Sequence, residues 1–402
     1  MAVLKNKKIN FIILWLFPII SYYGYLYVGF DQNIMKFLYF ISVPLLFVYV
    51  WKQFASNNSS CISRGVRYLT LSICFSIFAA LIFWDQPLIY GYRVTSPFLA
   101  IIFYFFLKKG NFSFQNIELY IKVNAIIWFV LWLYAMSVAP QVVFGYDSTA
   151  ELEQRGIFRL SISGSIAIAV CYFYYLNKYV KTRKIINLFL FLLCFMGICL
   201  QLSRQLIIIS FIIGVVYLFK KIKVVWLFAI VLFVASQTLS FKASDDSILG
   251  SLLNLTERQY DDAKYGEGDG YVRLKTYNFL LTEYTKNPIA VIVGNGVPHL
   301  DTSYGKYYKK LIDTEALYYS DAGYAEIYIF LGVVGLIIIL WLFYQCLKLN
   351  IDDNYYWLKL FIVYMLLYNI ASGAILSNFI YLSLALYLLD KQNKKIDNLH
   401  RI

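Results

Sequence analysis

Charged residues are scarce in this chain, and long polar stretches are almost missing. Asp, Glu, Lys and Arg make up 15% of its 402 residues and hydrophobic residues 60%, whereas a soluble domain is roughly 25% charged. A soluble core cannot bury this much Phe and Tyr. The alternation of apolar and polar residues in pieces of about ten, which is typical of porin-type barrels, is also absent. The sequence therefore predicts an all-α integral membrane protein.

Cysteine and histidine are also rare. The six cysteines fall in apolar stretches or in one short basic loop, so they predict neither a disulfide framework nor a Cys/His metal site. We accordingly expect no metal and no cofactor. The only two histidines are His299 and His400. No sustained or inverted repeat is visible, which disfavours the architectures of secondary transporters.

The apolar runs are long enough to cross about 30 Å of hydrocarbon as helices. We expect about twelve spans, at residues 9–27, 35–51, 68–84, 94–107, 117–138, 160–176, 185–202, 206–219, 224–240, 325–343, 356–371 and 375–389. Pro97 shortens the fourth span, and residues 87–92 before it can dip back into the membrane edge. The basic residues 1–8 precede an apolar run without a small-residue cleavage site, which indicates an uncleaved first span.

One long polar segment, residues 241–323, lies between the ninth and tenth spans of what we expect to be a single membrane domain, residues 1–402. Residues 241–322 contain nine basic and twelve acidic residues, a net charge of −3. The whole chain carries +13, so the other residues carry +16, mostly in short turns between spans. This is the positive-inside bias and not a nucleic-acid-binding face. It predicts cytoplasmic termini and an external long loop.

Arginines on the outer side run against that bias, so each is a candidate for function. They are Arg93, Arg155, Arg159, Arg204, Arg258 and Arg273. Arg204 lies in a short polar turn between two apolar spans, where an arginine either faces a ligand or anchors at the outer headgroups. Arg155 and Arg159 are spaced to share a helix face, where they either hold one anion or pair with the glutamates just before them.

Arg273 begins a segment with the spacing of an amphipathic helix, which Asn287-Pro288 should end. The apolar positions of this helix are Leu274, Tyr277, Leu280, Leu281 and Tyr284. Such a helix would lay its apolar face on the bundle, parallel to the membrane. The alternative for Arg273 is the commoner fate of a loop arginine, which is full solvation.

Two acidic residues and one histidine complete the candidates. Asp321 should lie at or just before a helix N-terminus, where it either caps the helix or orients and deprotonates a hydroxyl. Glu326 follows about one turn later. His299 comes directly after residues 294–298, whose glycines and proline indicate a turn more than a phosphate cradle. A lone histidine there is either a bystander or a base, and we take His299 and Glu326 as candidate acceptor-binding residues.

Several short motifs occur in a recognisable order. They are Arg159-Leu-Ser-Ile-Ser-Gly164, Ser203-Arg204, Arg273-Leu-Lys-Thr-Tyr277, Asn287-Pro288 followed by Gly294-Asn-Gly296, and Asp321-Ala-Gly-Tyr324 before Leu331-Gly-Val-Val-Gly335. Together with the span count and the single large outer loop, this arrangement resembles the superfamily of O-antigen polymerases (Wzy-type) and O-antigen ligases. The resemblance covers most of the chain by topology and about five short motifs by residue.

The resemblance implies a GT-C-like, metal-independent glycosyltransferase of the bacterial cytoplasmic membrane that uses undecaprenyl-diphosphate-linked oligosaccharides. The hypothesis for the site is that Arg155, Arg159, Arg204 and Arg273 bind the diphosphate. Arg204 and Arg273 would also stabilise the leaving group, while Asp321 orients or activates the acceptor hydroxyl.

The ligase branch of that superfamily has a histidine near the end of the large loop, whereas Asp321 occupies this place here. This departure favours a repeat-unit polymerase. The alternatives are an O-antigen ligase and, from another class, a flippase of lipid-linked oligosaccharides. The expected partners are the lipid bilayer, the lipid-linked substrate and a chain-length regulator.

Overall fold

The structure is a computed structural model that describes residues 2–21, 32–56, 60–138, 141, 143–144, 162, 164–201, 203–221 and 268–399. Within these ranges the backbone forms helices and no strand, so the prediction of an all-α protein is confirmed for this part of the chain.

Sixteen α-helices are described, numbered here in chain order. They are α1 Ala2–Ser21, α2 Gln32–Ala55, α3 Cys61–Trp84, α4 Leu88–Thr95, α5 Phe103–Gly110, α6 Phe114–Ser137, α7 Ile166–Thr182, α8 Ile185–Cys199, α9 Arg204–Lys221, α10 Gly268–Thr282, α11 Pro288–Val293, α12 Ser303–Glu315, α13 Gly323–Lys348, α14 Trp357–Tyr368, α15 Ala374–Ser377 and α16 Phe379–Leu399. A short 3-10 turn, Phe98–Ile102, precedes α5, and another, Tyr319–Asp321, precedes α13.

Four of the described helices are long and apolar enough to cross a membrane. Their span-length parts are Lys36–Ala55, Cys61–Trp84, Phe114–Ser137 and Gly323–Lys348. Large apolar side chains on their outer faces are well exposed, for example Val48 at 73%. These features agree with a multi-pass membrane protein. The total of twelve spans stays a prediction, and the ninth, residues 224–240, lies outside the described residues.

The fourth predicted span is a bent pair of helices. α4 and the helical residues Phe98–Gly110 meet at an angle of 61°, which is the geometry of either a broken span or a re-entrant loop. Pro97 stands at the break and has no backbone N–H to continue the hydrogen-bond ladder of α4. The dip expected for residues 87–92 is therefore a short helix that begins at Leu88.

Two other predicted boundaries need correction. Residues 52–67, which separate the second and third predicted spans, are largely helical, because α2 continues to Ala55 and α3 begins at Cys61. Ser60 caps α3 by accepting a hydrogen bond from the backbone N–H of Ser63 at 3.1 Å. Arg204, expected in a turn, is the first residue of α9.

The helix expected around Arg273 exists, and of its five predicted inward residues Leu280 and Tyr284 are buried and Tyr277 is partly buried. α10 begins at Gly268 and ends at Thr282, before Asn287, which instead caps α11 through the backbone N–H of Ile289. The inward side chains of α10 are Thr276 and Leu280. Two of the predicted inward residues are exposed, Leu274 at 71% and Leu281 at 47%. Because they are seven residues apart, they share one outward face of the helix.

The core is built around α16, whose residues 379–389 are buried on every side of the helix. A helix that is apolar all round belongs in the middle of a bundle, with other helices shielding it. α3 and α13 pack closely against one another beside it, and Gly335 of α13 allows this by facing Ser72 of α3. The described helices therefore enclose one continuous apolar core.

α13 is interrupted at Gly332, which adopts φ 70° and ψ −175° in the middle of the helix. This region of backbone space is essentially restricted to glycine. The break removes the helical partners of the carbonyls of Ile329 and Phe330. Asn295 N donates to Ile329 O at 2.7 Å and Gly296 N to Phe330 O at 3.2 Å. The loop after α11 is thus hydrogen-bonded into the body of α13, which satisfies groups that lipid cannot.

Replacing Gly332 by alanine should strongly destabilise the protein. The backbone conformation alone costs about 1–3 kcal/mol for a residue with a Cβ. The added Cβ would also lie 2.2 Å from the carbonyl oxygen of Ile292, so the end of α11 and the loop that follows it would have to move. We expect a lower thermal midpoint of the detergent-purified protein and a smaller monodisperse yield.

The matched control is Val334→Ala, two residues further along the same helix, where the side chain is 42% exposed. This change should leave the thermal midpoint within a few degrees of the wild type because surface substitutions usually cost little. Equal midpoints for the two variants would mean that the break at Gly332 does not hold the loop.

Candidate functional site

Four separate parts of the chain meet at the segment that joins α14 to α15, residues 368–373, which we call the connector. Gln205, next to Arg204, donates from Nε2 to Tyr368 O at 2.7 Å. The hydroxyl of Tyr277 in α10 donates to the carbonyl oxygen of Ile370. The backbone N–H of Gly373 donates to Ser320 O at 2.8 Å. Three of the elements that carry predicted site residues are therefore fixed to one stretch of backbone.

The start of α13 is the fourth part, and it approaches the connector closely. A Cβ on Gly323 would lie 2.1 Å from the carbonyl oxygen of Ser372, and a Cβ on Gly373 would lie 2.1 Å from Oε2 of Glu326. Glycine is needed at position 323 because a side chain there would meet the backbone of the connector, whereas a Cβ at position 373 would meet only the carboxylate of Glu326. The glycines thus bring the first turn of α13, including Glu326, against the connector.

Glu326 and Asn369 each present a buried polar atom to this region without a hydrogen-bond partner among the described residues. The atoms are Oε2 of Glu326, an acceptor when ionised, and Nδ2 of Asn369, a donor. Unpaired buried polar atoms are costly and call for an explanation. A hydroxyl group of a bound ligand can both donate and accept a hydrogen bond, so it matches the chemistry of this pair.

Asp321 lies in the 3-10 turn before α13 and is half-buried. The residue at the N-cap position of α13 is Ala322, so Asp321 stands one residue before the position of a capping side chain. Asp321 is close enough to Glu326 for its charge to act on that carboxyl group. Two acidic side chains therefore share the side of the connector formed by the start of α13.

The two described arginines of the predicted site stand on the elements that touch the connector. Arg204 is half-buried as the first residue of α9, directly before Gln205. Arg273 is exposed on α10, one turn before Tyr277, and forms no ion pair with another described residue. Arg155 and Arg159 lie outside the described residues, so their predicted roles stay predictions.

A cluster of aromatic side chains sets the position of the Asp321 turn. Tyr319 stacks on Tyr308 with a centroid distance of 3.9 Å, and its hydroxyl donates to that of Tyr284. Tyr284 in turn contacts Trp84, at the end of α3, which stacks on Tyr304 at 4.3 Å. The tyrosines of this cluster pack the long loop onto α3.

His299 belongs to a different neighbourhood. Gln86, which is fully buried, accepts hydrogen bonds from His299 N at 2.8 Å and from the hydroxyl of Thr302 at 3.0 Å, and it donates to Val297 O at 2.8 Å. The ring of Tyr90 lies 4.6 Å from the imidazole of His299. None of the hydrogen bonds or ring contacts of His299 with the described residues reaches the connector.

His299 lines a cavity of about 870 Å³, which we call the α2–α4 cavity. Its walls come from residues 36–40 of α2, from α4 with the residues up to Pro97, and from residues 298–301. The cations on its wall are Lys36 and Arg93, and the acid is Asp301. Arg93 was predicted to be an outer arginine, but no sequence pattern indicates that it lies near His299. The connector and the role of Gln86 had no sequence signal either.

The electrostatics of His299 follow from these neighbours. Burial lowers the pKa of His299 below its ordinary value of 6.5, the charge of Asp301 opposes this, and Arg93 lowers the pKa further. The imidazole is therefore neutral at pH 7 in the folded protein. Since the unfolded chain binds the proton more tightly, this residue reduces the free energy of unfolding as the pH falls below 6.5.

The titration of His299 should respond to its two charged neighbours in opposite directions. Replacing Arg93 by glutamine should raise the pKa of His299, and replacing Asp301 by asparagine should lower it, because each change removes one of the opposing charges. The measurement is NMR of histidine-labelled protein in detergent, with His400 as the internal reference. Identical midpoints in both variants would mean that neither charge reaches the imidazole.

Comparison with known proteins gives no further assignment. No family model matches the chain, and neither the curated proteins nor the solved structures yield a significant match.

Proposed function

We propose that this protein is a polysaccharide repeat-unit polymerase. It would transfer a glycan from undecaprenyl diphosphate to the acceptor sugar of another lipid-linked unit at the outer face of a bacterial cytoplasmic membrane. The observation that carries the proposal is the convergence of α9, α10 and the start of α13 on the connector. This convergence gives Arg204, Arg273 and Asp321 a common backbone anchor.

The reaction requires two kinds of group close together. A hydroxyl oxygen of the acceptor forms a bond to the anomeric carbon of the donor, while the bond from that carbon to the diphosphate oxygen breaks. The electron pair of the broken bond leaves with the diphosphate, and the hydroxyl proton passes to a carboxylate. Cations are therefore needed at the leaving group and a carboxylate at the acceptor.

The arginines suit the leaving group because a guanidinium keeps its charge at any relevant pH and presents donors in a fixed fork that matches phosphate oxygens. Arg273 supports this role because it is exposed on α10 and makes no ion pair within the described residues. Arg204 stands at the first position of its helix, where an anion is also favoured by the helix dipole. Arg155 and Arg159 would add to the same diphosphate site.

The acidic pair suits the acceptor. Asp321 is half-buried and so can accept a proton that then reaches solvent, whereas Glu326 directs a buried oxygen at the connector. We assign activation of the acceptor hydroxyl to Asp321, and orientation of the acceptor sugar to Glu326 with Asn369. His299 lies elsewhere and has no part in this step.

The wider assignment belongs to the same proposal. About twelve spans in a GT-C-like arrangement would place both termini in the cytoplasm and the long loop outside, with a chain-length regulator as a partner. Purified protein supplied only with lipid-linked repeat units should produce long polymer. Unchanged substrate would instead favour an O-antigen ligase or a flippase of lipid-linked oligosaccharides.

Loss of either described arginine should shorten the polymer. Arg204→Ala and Arg273→Ala should each lower polymerisation by roughly ten- to a hundredfold, since a charge-assisted hydrogen bond contributes about 1.5–3 kcal/mol. The lysine variants should retain part of the activity because they keep the charge without the fork. The measurement is the glycan length distribution on a gel at matched expression.

Arg64→Gln is the matched control because Arg64 is an exposed arginine at the opposite end of α3 from Trp84. It should leave polymer length unchanged. Normal polymer from the Arg204→Ala/Arg273→Ala double variant, at normal expression, would overturn the proposed function.

Replacements of Asp321 and of Glu326 should affect different kinetic constants. Asp321→Asn should lower kcat by at least about a hundredfold with little change in KM, because it removes the group that takes the proton. Glu326→Gln should mainly raise KM for the acceptor, because an amide keeps the shape and one acceptor oxygen. The reverse pattern would exchange the two roles.

A further inference from the structure

The α2–α4 cavity lies where membrane-spanning helices end. Lys36 is the first residue of the apolar span in α2, and α4 is the shorter arm of the bent helix pair. Residues 298–301 of the long loop close the cavity from the same side. Its opening is therefore at the level where lipid headgroups meet the protein.

The cavity has more positive than negative side chains. Arg93 is exposed, lines the wall and forms no ion pair with a described residue, while Lys36 lines the same wall. The acid of the wall, Asp301, is directed at His299, whose Nδ1 lies 3.6 Å from its carboxylate oxygen. Because Arg93 forms an ion pair with neither Asp301 nor another described carboxylate, its guanidinium can attract an anion, and its planar fork suits phosphate oxygens.

Next to these cations the wall is apolar and faces outward. Phe37 in α2 is 60% exposed and Ile89 in α4 is 58% exposed. Phe37 follows Lys36 directly, and Ile89 lies about one helical turn before Arg93. A ligand with an anionic head and a hydrocarbon tail would contact both the cations and the apolar side chains of this wall. A free anion would contact only the cations.

The walls are held in place by buried hydrogen bonds. Tyr39 donates to Ser96 O at 3.3 Å, and Tyr92 donates to Phe40 O at 2.7 Å, so α2 and α4 are joined behind the cavity. Gln86 fixes residues 297–302 from below through His299 N and Val297 O. The site is thus largely formed before a ligand enters, as is usual for small-molecule sites of this volume.

We propose that the α2–α4 cavity binds the headgroup of a membrane lipid that ends in a phosphate or diphosphate, with Arg93 as its main ligand and the lipid tail against Phe37 and Ile89. This site is distinct from the connector. It rests on the cavity alone and would stand even if the proposed glycosyl transfer failed.

The test uses the full-length protein in detergent and three soluble probes: farnesyl diphosphate, inorganic pyrophosphate and farnesol. The reporter is the NMR signal of His299, because an anion beside Arg93 should raise the pKa of that imidazole by about 0.5–1 pH unit. Farnesyl diphosphate should bind with a Kd at least about tenfold lower than that of pyrophosphate, since only its tail can bury apolar surface. Farnesol should not shift the pKa of His299.

Variants assign the contacts. Arg93→Gln should weaken farnesyl diphosphate binding by about tenfold or more, and Arg93→Lys by less, because it keeps the charge. Phe37→Ser should weaken farnesyl diphosphate but not pyrophosphate. Arg64→Gln, at the other end of α3, should change neither. The Arg204→Ala/Arg273→Ala variant should bind normally in the cavity, which separates this inference from the proposed function.

Three results would overturn the proposal. Pyrophosphate binding as tightly as farnesyl diphosphate would indicate a site for a soluble anion. Farnesol displacing farnesyl diphosphate with equal affinity would indicate an apolar groove without a headgroup site. Unchanged binding in Arg93→Gln, together with a wild-type thermal midpoint, would remove Arg93 from the site.

Discussion

The hydrogen bonds that the loop after α11 makes into the break of α13 are the interaction on which the outer part of this molecule depends. A helix inside an apolar bundle cannot leave carbonyl groups unpaired without a cost of several kcal/mol. Gly332 removes two helical partners, and the N–H groups of Asn295 and Gly296 replace them. The loop after α11 is therefore bound to α13 through its backbone, in addition to the side-chain contacts of Gln86 and Trp84.

The binding of the loop after α11 to α13 affects the residues on either side of this loop in the chain. On one side it carries residues 297–302 onto Gln86, which closes the α2–α4 cavity and buries His299. On the other side α12 supplies Tyr308, which stacks on Tyr319 next to the turn of Asp321. The docked segment thus contributes to the surroundings of both candidate sites, although they share none of their principal residues.

The class of fold and many of the helices could be predicted, because span-length apolar runs can satisfy their backbone only as helices. The helix around Arg273 and the start of a helix after Asp321 were also predicted. The break at Gly332 was not, since a lone glycine in an apolar run gives the same pattern as one in a straight helix. The inward face predicted for α10 was wrong at Leu274 and Leu281, because leucines suit either a protein interior or an apolar exterior.

What the sequence by itself determined is the all-helical backbone and the membrane character, both of which follow from the length and polarity of local segments. It also singled out Arg204, Arg273 and Asp321 as charged residues in unusual places. Only the tertiary structure decided that their elements meet at residues 368–373, and that His299 lies apart from them beside Arg93. The reason is that glycine contacts and buried hydrogen bonds between distant segments fix these positions, and no local pattern encodes such pairings.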